Sequence, residues 1–75
     1  MACEGWGNGD HCKVTAAVGE KAYQLDGIVK RIDKSKHQIL VEFAGVDRTL
    51  ARASVLLEDK STENCYWIDA HSVKK

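Results

Sequence analysis

The sequence predicts a small, mainly β protein: one strongly bent barrel of five short strands. Three observations carry this. Apolar residues recur at a spacing of two more often than 3.6. Turn segments built on Gly19, on Asp33-Lys34-Ser35-Lys36 and on Gly45 punctuate the chain. The chain, 75 residues with 44% hydrophobic content, can form one core and not two.

Residues 1–10 place Gly5, Gly7 and Gly9 around Trp6 and read as a flexible leader. A glycine-rich phosphate cradle needs a strand before it and a helix after it, and neither is predicted. Trp6 is expected to fold back on the core or dock on a partner. Residues 11–73 form the barrel domain. In the first strand Cys12, Val14, Ala16 and Val18 alternate with Lys13, Thr15 and Ala17, a half-buried pattern that stops at the Gly19-Glu20-Lys21 turn. The second strand runs from Ala22 to Ile32. Its alternation changes phase near Gly27, with Tyr23 and Leu25 on one face and Ile28 and Ile32 on the other, which predicts a bulge there. The Asp33–Lys36 turn leads into a third strand, Gln38 to Phe43, with Ile39, Val41 and Phe43 inward. Gly45 is the expected left-handed residue of the next turn.

Arg48 to Glu58 supports two readings. As a strand, Ala51, Ala53, Val55 and Leu57 share a face. As a helix, Asp47 caps it and Leu50, Ala53 and Leu57 form a stripe. Alanine, leucine and arginine favour the helix locally; the neighbouring strands favour a strand, and that reading is taken, with the helix left open. After a polar loop, Cys65 to Ala70 is the last strand, with Tyr66 and Ile68 on one face and Cys65 and Trp67 on the other.

Eleven basic and eleven acidic residues leave a formal net charge of zero, which argues against gripping nucleic acid by bulk electrostatics. The balance is local as well as global. Lys30, Arg31, Lys34, Lys36 and His37 gather in one hairpin, whereas Glu58, Asp59 and Glu63 gather in a later loop, predicting oppositely charged ends. The basic hairpin is the candidate contact for an RNA phosphate backbone.

Cys3, Cys12 and Cys65 are odd in number and irregular in spacing, so they form no secreted disulfide framework, and no Cys-x-x-Cys pair anchors a zinc ribbon. The scattered set Cys3, His11, Cys12, Cys65 and His71 has no metal-ligand spacing; neither metal nor cofactor is expected. No apolar run suits a membrane span or a secretory leader, so an intracellular location, cytoplasm or nucleus, is expected. Catalysis is not expected. His11 and Cys12 are adjacent and point to opposite faces of a strand, and Cys65 and His71 have no third group to orient them.

The interaction reading rests on edges and aromatics. Tyr66 and Trp67 are consecutive, so one ring faces the core and the other faces out. Val55 and Leu57 line the neighbouring edge. Val55, Leu57, Tyr66 and Trp67 are therefore the candidate partner-binding residues. A barrel this small leaves an edge that a partner completes, and the expected partner is another small β-barrel protein or a second copy of this chain.

The segment Lys13 to Phe43 resembles the first motif of the Sm and LSm proteins, with Gly27, Asp33 and Leu40 at the family's spacings. It departs from that family at His37, where RNA-binding members carry a base-reading asparagine, and in lacking any Arg-Gly beyond Gly45. The run Val14-Thr15-Ala16, Tyr23 and Ile39–Phe43 is similar to the Gemin-type Sm-fold subunits of the snRNP-assembly complex. That resemblance implies a Sm-like barrel acting as a non-catalytic scaffold in a ribonucleoprotein or its assembly machinery. Gly9, Asp10, Cys12, Tyr23, Ile32, Asp33, Val41, Phe43, Gly45, Leu56 and Leu57 also resemble a Tudor domain, with two residues fewer between Tyr23 and Asp33. This implies an SH3-like peptide reader whose pocket keeps Tyr23 and Phe43 as walls, while Ala16 and Val46 stand where the other two walls belong.

Overall fold

The computed structural model describes residues 5–62 and 64–75; Cys3 and Glu63 lie outside them. Along the chain the elements are β1 (His11–Val18), β2 (Lys21–Asp33), β3 (Gln38–Glu42), α1 (Gly45–Ala53), β4 (Leu57–Glu58), β5 (Cys65–Asp69), a 3₁₀ turn (Ala70–Ser72) and β6 (Val73–Lys74). The strands form one antiparallel sheet in the order β4-β5-β3-β2-β1-β6. The sheet has to curl. β5 and β6 are separated by four strand spacings in that order, about 19 Å if flat. The turn that joins them advances only about 2 Å per residue over three residues.

The alternation in β1 is as the sequence predicts: Cys12, Val14 and Ala16 are buried and His11, Lys13, Thr15 and Ala17 exposed. Gly19 has φ +62 at the first position of a two-residue turn, the arrangement that matches the twist of a hairpin. In β2 the predicted change of phase falls three residues later than expected, at Lys30. Leu25, Gly27 and Val29 all face the core, and the register against β3 slips between Val29 and Arg31, leaving Lys30 as the bulged residue. Gly27 is needed for closeness, not for bending: a Cβ there would run into a Val41 methyl and meet Glu42 O and Phe43 Cε1 at 3.0 Å.

The strand reading of residues 48–58 is overturned for most of its length. Gly45–Ala53 is helical, and only Leu57–Glu58 pairs as a strand. The helix wins because it turns Leu50 and Ala51 together onto the core, which a strand cannot do with adjacent residues. Asp47 in its first turn and Arg52 in its last suit its dipole. Gly45, with φ +60, swings the chain into it. Ser54 ends it: its Oγ donates to Ala51 O at 2.6 Å and accepts from Leu56 N–H at 3.2 Å. The sheet thus has six strands, not five, because β6 adds to β1 through Lys13–Lys74 and Val14–Val73.

The core gathers Val14, Leu25, Val29, Ile39, Val41, Phe43, Tyr66 and Ile68 from the inner face of the sheet. Leu40 is also buried, on the other face, in the cross-strand row Arg31–Leu40–Trp67–Leu57. Residues 5–10 do not hang free. Gly7 to Asp10 form a turn, Gly9 N–H donates to Val29 O, and Val29 N–H donates to Asp10 O. Trp6 packs on the core, with Lys75 Nζ 5.4 Å from its ring centroid and 3.1 Å from Gly5 O.

Candidate functional site

The residues predicted to bind a partner separate into two environments. Val55 is 88% exposed and Leu57 61% exposed, both at the β4 edge of the sheet. Trp67 is half-buried, in direct register with Leu57. Tyr66 is not a surface group: its ring is 2% exposed and packs against Phe43 at 5.8 Å between centroids. Consecutive positions in a strand send one ring each way, so Tyr66 does not share the partner-binding surface expected for it with Val55, Leu57 and Trp67. Tyr66 reaches the surface only through its hydroxyl, which donates to Glu58 Oε2 at 3.2 Å. Burial, then the Glu58 hydrogen bond and charge, push its pKa up.

The loop after β4 is organised by Asp59. Its carboxylate accepts from Ser61 Oγ (2.9 Å), Thr62 Oγ1 (2.7 Å) and Trp67 Nε1 (3.1 Å). These bonds, Thr62 first, then Ser61 and Trp67, hold its pKa below the ordinary value, and the Arg31 charge adds a smaller contribution. Arg31 is therefore near Asp59, so the predicted separation of basic hairpin and acidic loop into opposite ends does not hold there. Asp59 anchors Trp67 and so sets the shape of the β4 edge, a role the sequence reading missed. The signal was present: Asp59-Lys60-Ser61 repeats Asp33-Lys34-Ser35, and both make the same aspartate–serine turn.

Lys30, Arg31, Lys34, Lys36 and His37 are all exposed. Asp33, the acid among them, is occupied within the turn. It accepts from Ser35 Oγ at 2.6 Å and Lys36 N–H at 3.2 Å, and these two bonds, in that order, lower its pKa. His37 has φ +53 and its carbonyl accepts from Ala70 N–H, which ties the hairpin to the 3₁₀ turn.

The pocket implied by the Tudor resemblance is closed. Phe43 is 1% exposed and spent on the core, and Tyr23 is half-buried and packed on it. Among the described residues, no cluster of three or more His, Cys, Asp or Glu is placed to hold a metal ion. Cys12 and Cys65 are buried free thiols. For Cys12, burial, then the charges of Asp10 and Asp26, push the pKa up to about 11, so it is a packing group and a poor nucleophile. A shallow cavity of about 180 Å³ opens where His11, Asp26, Ile28, Glu42 and Asp47 meet. No described helix is long and apolar enough to cross a membrane.

Compared with family models, characterised proteins and solved structures, the chain gives no match.

Proposed function

We propose that this chain is a non-catalytic interaction module that binds a second small β-barrel through the β4 edge, in a ribonucleoprotein or its assembly machinery in the cytoplasm or nucleus. One observation carries the contact: on the terminal strand β4 the exposed Leu57 lies in register with the half-buried Trp67, and the exposed Val55 precedes it by two residues. The setting rests on the resemblance to Sm-fold scaffold subunits. The test is affinity purification with the wild-type chain and with Val55→Asp/Leu57→Asp. Both side chains are solvent-facing, so the variant should fold normally and lose its partner; an unchanged set of partners rejects this surface.

A second reading is supported by the hairpin. Lys30, Arg31, Lys34, Lys36 and His37 are exposed together while Asp33 is turned inward on Ser35 and Lys36. Such a tip suits an RNA phosphate backbone. Lys34→Glu/Lys36→Glu should weaken RNA binding and flatten its salt dependence; equal affinity and slope reject it.

A further inference from the structure

We infer that copies of this chain associate head to tail, with the Lys34 and Lys36 side chains of one copy seated in the groove bordered by Glu42 and Asp47 of the next. This contact uses neither Val55 nor Leu57 and does not rest on the function proposed above.

The groove lies on the outer face of the sheet, where the end of β3 meets the first turn of α1. His11, Ile28 and Glu42 stand in one cross-strand row over β1, β2 and β3. Asp26 is two residues before Ile28 on the same face. Ala44 and Asp47 complete a cavity of about 180 Å³. Ile28 and Ala44 give it an apolar lining, and Val46, beside Asp47 on α1, is 74% exposed.

The carboxylates of this groove are the ones the fold leaves unused. Asp10, Asp33, Glu58, Asp59 and Asp69 each accept a hydrogen bond that holds a turn, a strand end or an aromatic side chain. Glu20 apart, the other described carboxylates are Asp26, Glu42 and Asp47, and all three line the groove. Lys13 stands opposite Asp26 across the β1–β2 pair and offsets it. Arg48, next to Asp47 in sequence, turns its guanidinium to Asn64 Oδ1 at 3.5 Å. Among the described residues no side-chain hydrogen bond reaches Glu42 or Asp47.

Charge names the occupant. The groove suits a cation on an aliphatic stem, which lies along Ile28 and Ala44 while its head meets the carboxylates. The chain carries such groups at the other end of β3. Lys34 and Lys36 are exposed at the hairpin tip, and the acid beside them, Asp33, is taken up by Ser35 Oγ and Lys36 N–H. Gln38 and Glu42, the two ends of β3, are about 13 Å apart at about 3.3 Å per residue, so a copy's own tip does not reach its groove. The tip of a second copy does. One tip and one groove per copy make a heterologous contact, which repeats along an open chain or closes into a ring. The formal net charge is zero, so no bulk repulsion opposes the association.

The test is sedimentation velocity on the nucleic-acid-free full chain from micromolar to millimolar concentration, at low and high salt. The wild type should associate as concentration rises at low salt and dissociate as salt screens the contact. Lys34→Glu/Lys36→Glu and Glu42→Gln/Asp47→Asn should each raise the dissociation constant about tenfold or more. Circular dichroism checks that both stay folded; if Glu42→Gln/Asp47→Asn does not, Asp47→Asn alone takes its place. Mixed in equal amounts, the two variants should form a dimer with the wild-type affinity, because one keeps its groove and the other its tip. Loss of structure cannot produce that rescue. Leu57→Asp should leave the association unchanged. A wild type that stays monomeric throughout overturns the inference, and tetralysine bound by that monomer would assign the groove to another cationic partner. Association indifferent to both double variants, or a mixture that associates no better than either alone, also overturns it. So does association lost on Leu57→Asp alone, which would support pairing through β4.

Discussion

Adding one methyl group at Gly27 tests how this fold is closed. In Gly27→Ala the new carbon overlaps a Val41 methyl and comes within 3.0 Å of both Glu42 O and Phe43 Cε1. Val41 is fully buried and Phe43 nearly so, so neither has a free direction to move. Glu42 is held in the β2–β3 and β3–β5 ladders, so its carbonyl moves only by straining both. Overpacking of this kind costs about 1–3 kcal/mol. Against it, alanine restricts the unfolded chain and recovers about 0.4–1 kcal/mol. The expected net loss is about 1–2 kcal/mol, lowering the melting temperature by roughly 4–15 °C in a domain of this size. Urea and thermal unfolding followed by circular dichroism measure it. Val41→Ala removes the methyl that collides first, so the double variant should be more stable than the two single losses predict, by about 1 kcal/mol. A Gly27→Ala protein that melts at or above the wild type would refute the close-approach role.

At Gly45, where φ is +60 and a Cβ meets nothing, Gly45→Ala should cost about 1–2 kcal/mol by backbone strain alone, read as a lower urea midpoint with an unchanged slope. The Asp59 carboxyl titrates below its unfolded value, so its contribution is present above the ordinary carboxylate range and is lost as pH falls through the folded pKa. In a Trp6→Phe background, Trp67 fluorescence should report this acid transition, and Asp59→Asn should abolish the Asp59 part of it. The Cys12 thiol has its pKa raised from 9.0 to about 11, so the stability it contributes is complete below pH 9 and lost as pH rises toward 11. At pH 8 a thiol reagent should modify Cys12 far more slowly than it does in the urea-unfolded chain; equal rates would mean the inner face of β1 is open.

The parts of the fold that were legible were those in which one face is wet and the other dry. Cys12, Val14 and Ala16 alternate with exposed neighbours, so period two identifies β1; in β5 the faces alternate as predicted, but Cys65 is buried on the face opposite Tyr66 and Ile68, so that strand is dry on both sides at its start. The helix was harder because strand and helix patterns coexist from Arg48 to Glu58. The decision lay in Leu50 and Ala51 facing the core together, a tertiary fact that periodicity in a short segment does not carry. The bulge was misplaced because Gly27 looks like a bend, whereas the slip falls at Lys30, a residue whose type carries no signal for it. At the site, exposure of Val55, Leu57 and the basic hairpin could be read directly. The anchoring of Trp67 by Asp59 could have been read from the repeated Asp-Lys-Ser, but only its geometry shows that the second copy of the motif reaches a tryptophan.

The distribution of aromatic side chains narrows what this surface can do. Phe43 and Tyr66 form the ring pair of the core, and Trp6 lies on that core beneath Lys75. Tyr23 packs on the core and Trp67 is held by Asp59, so neither is free to swing into a new pocket. A cation-binding cage needs several ring faces converging on solvent, and with Phe43 enclosed the described residues offer no such convergence. What remains exposed is of other kinds: aliphatic side chains at the β4 edge and the cations of the β2–β3 hairpin. Strand pairing and phosphate contact use those groups and need no aromatic pocket. A Tyr23→Ala variant that kept its partners would agree with this division of labour, whereas selective loss of a methylated peptide would require Phe43 to leave the core.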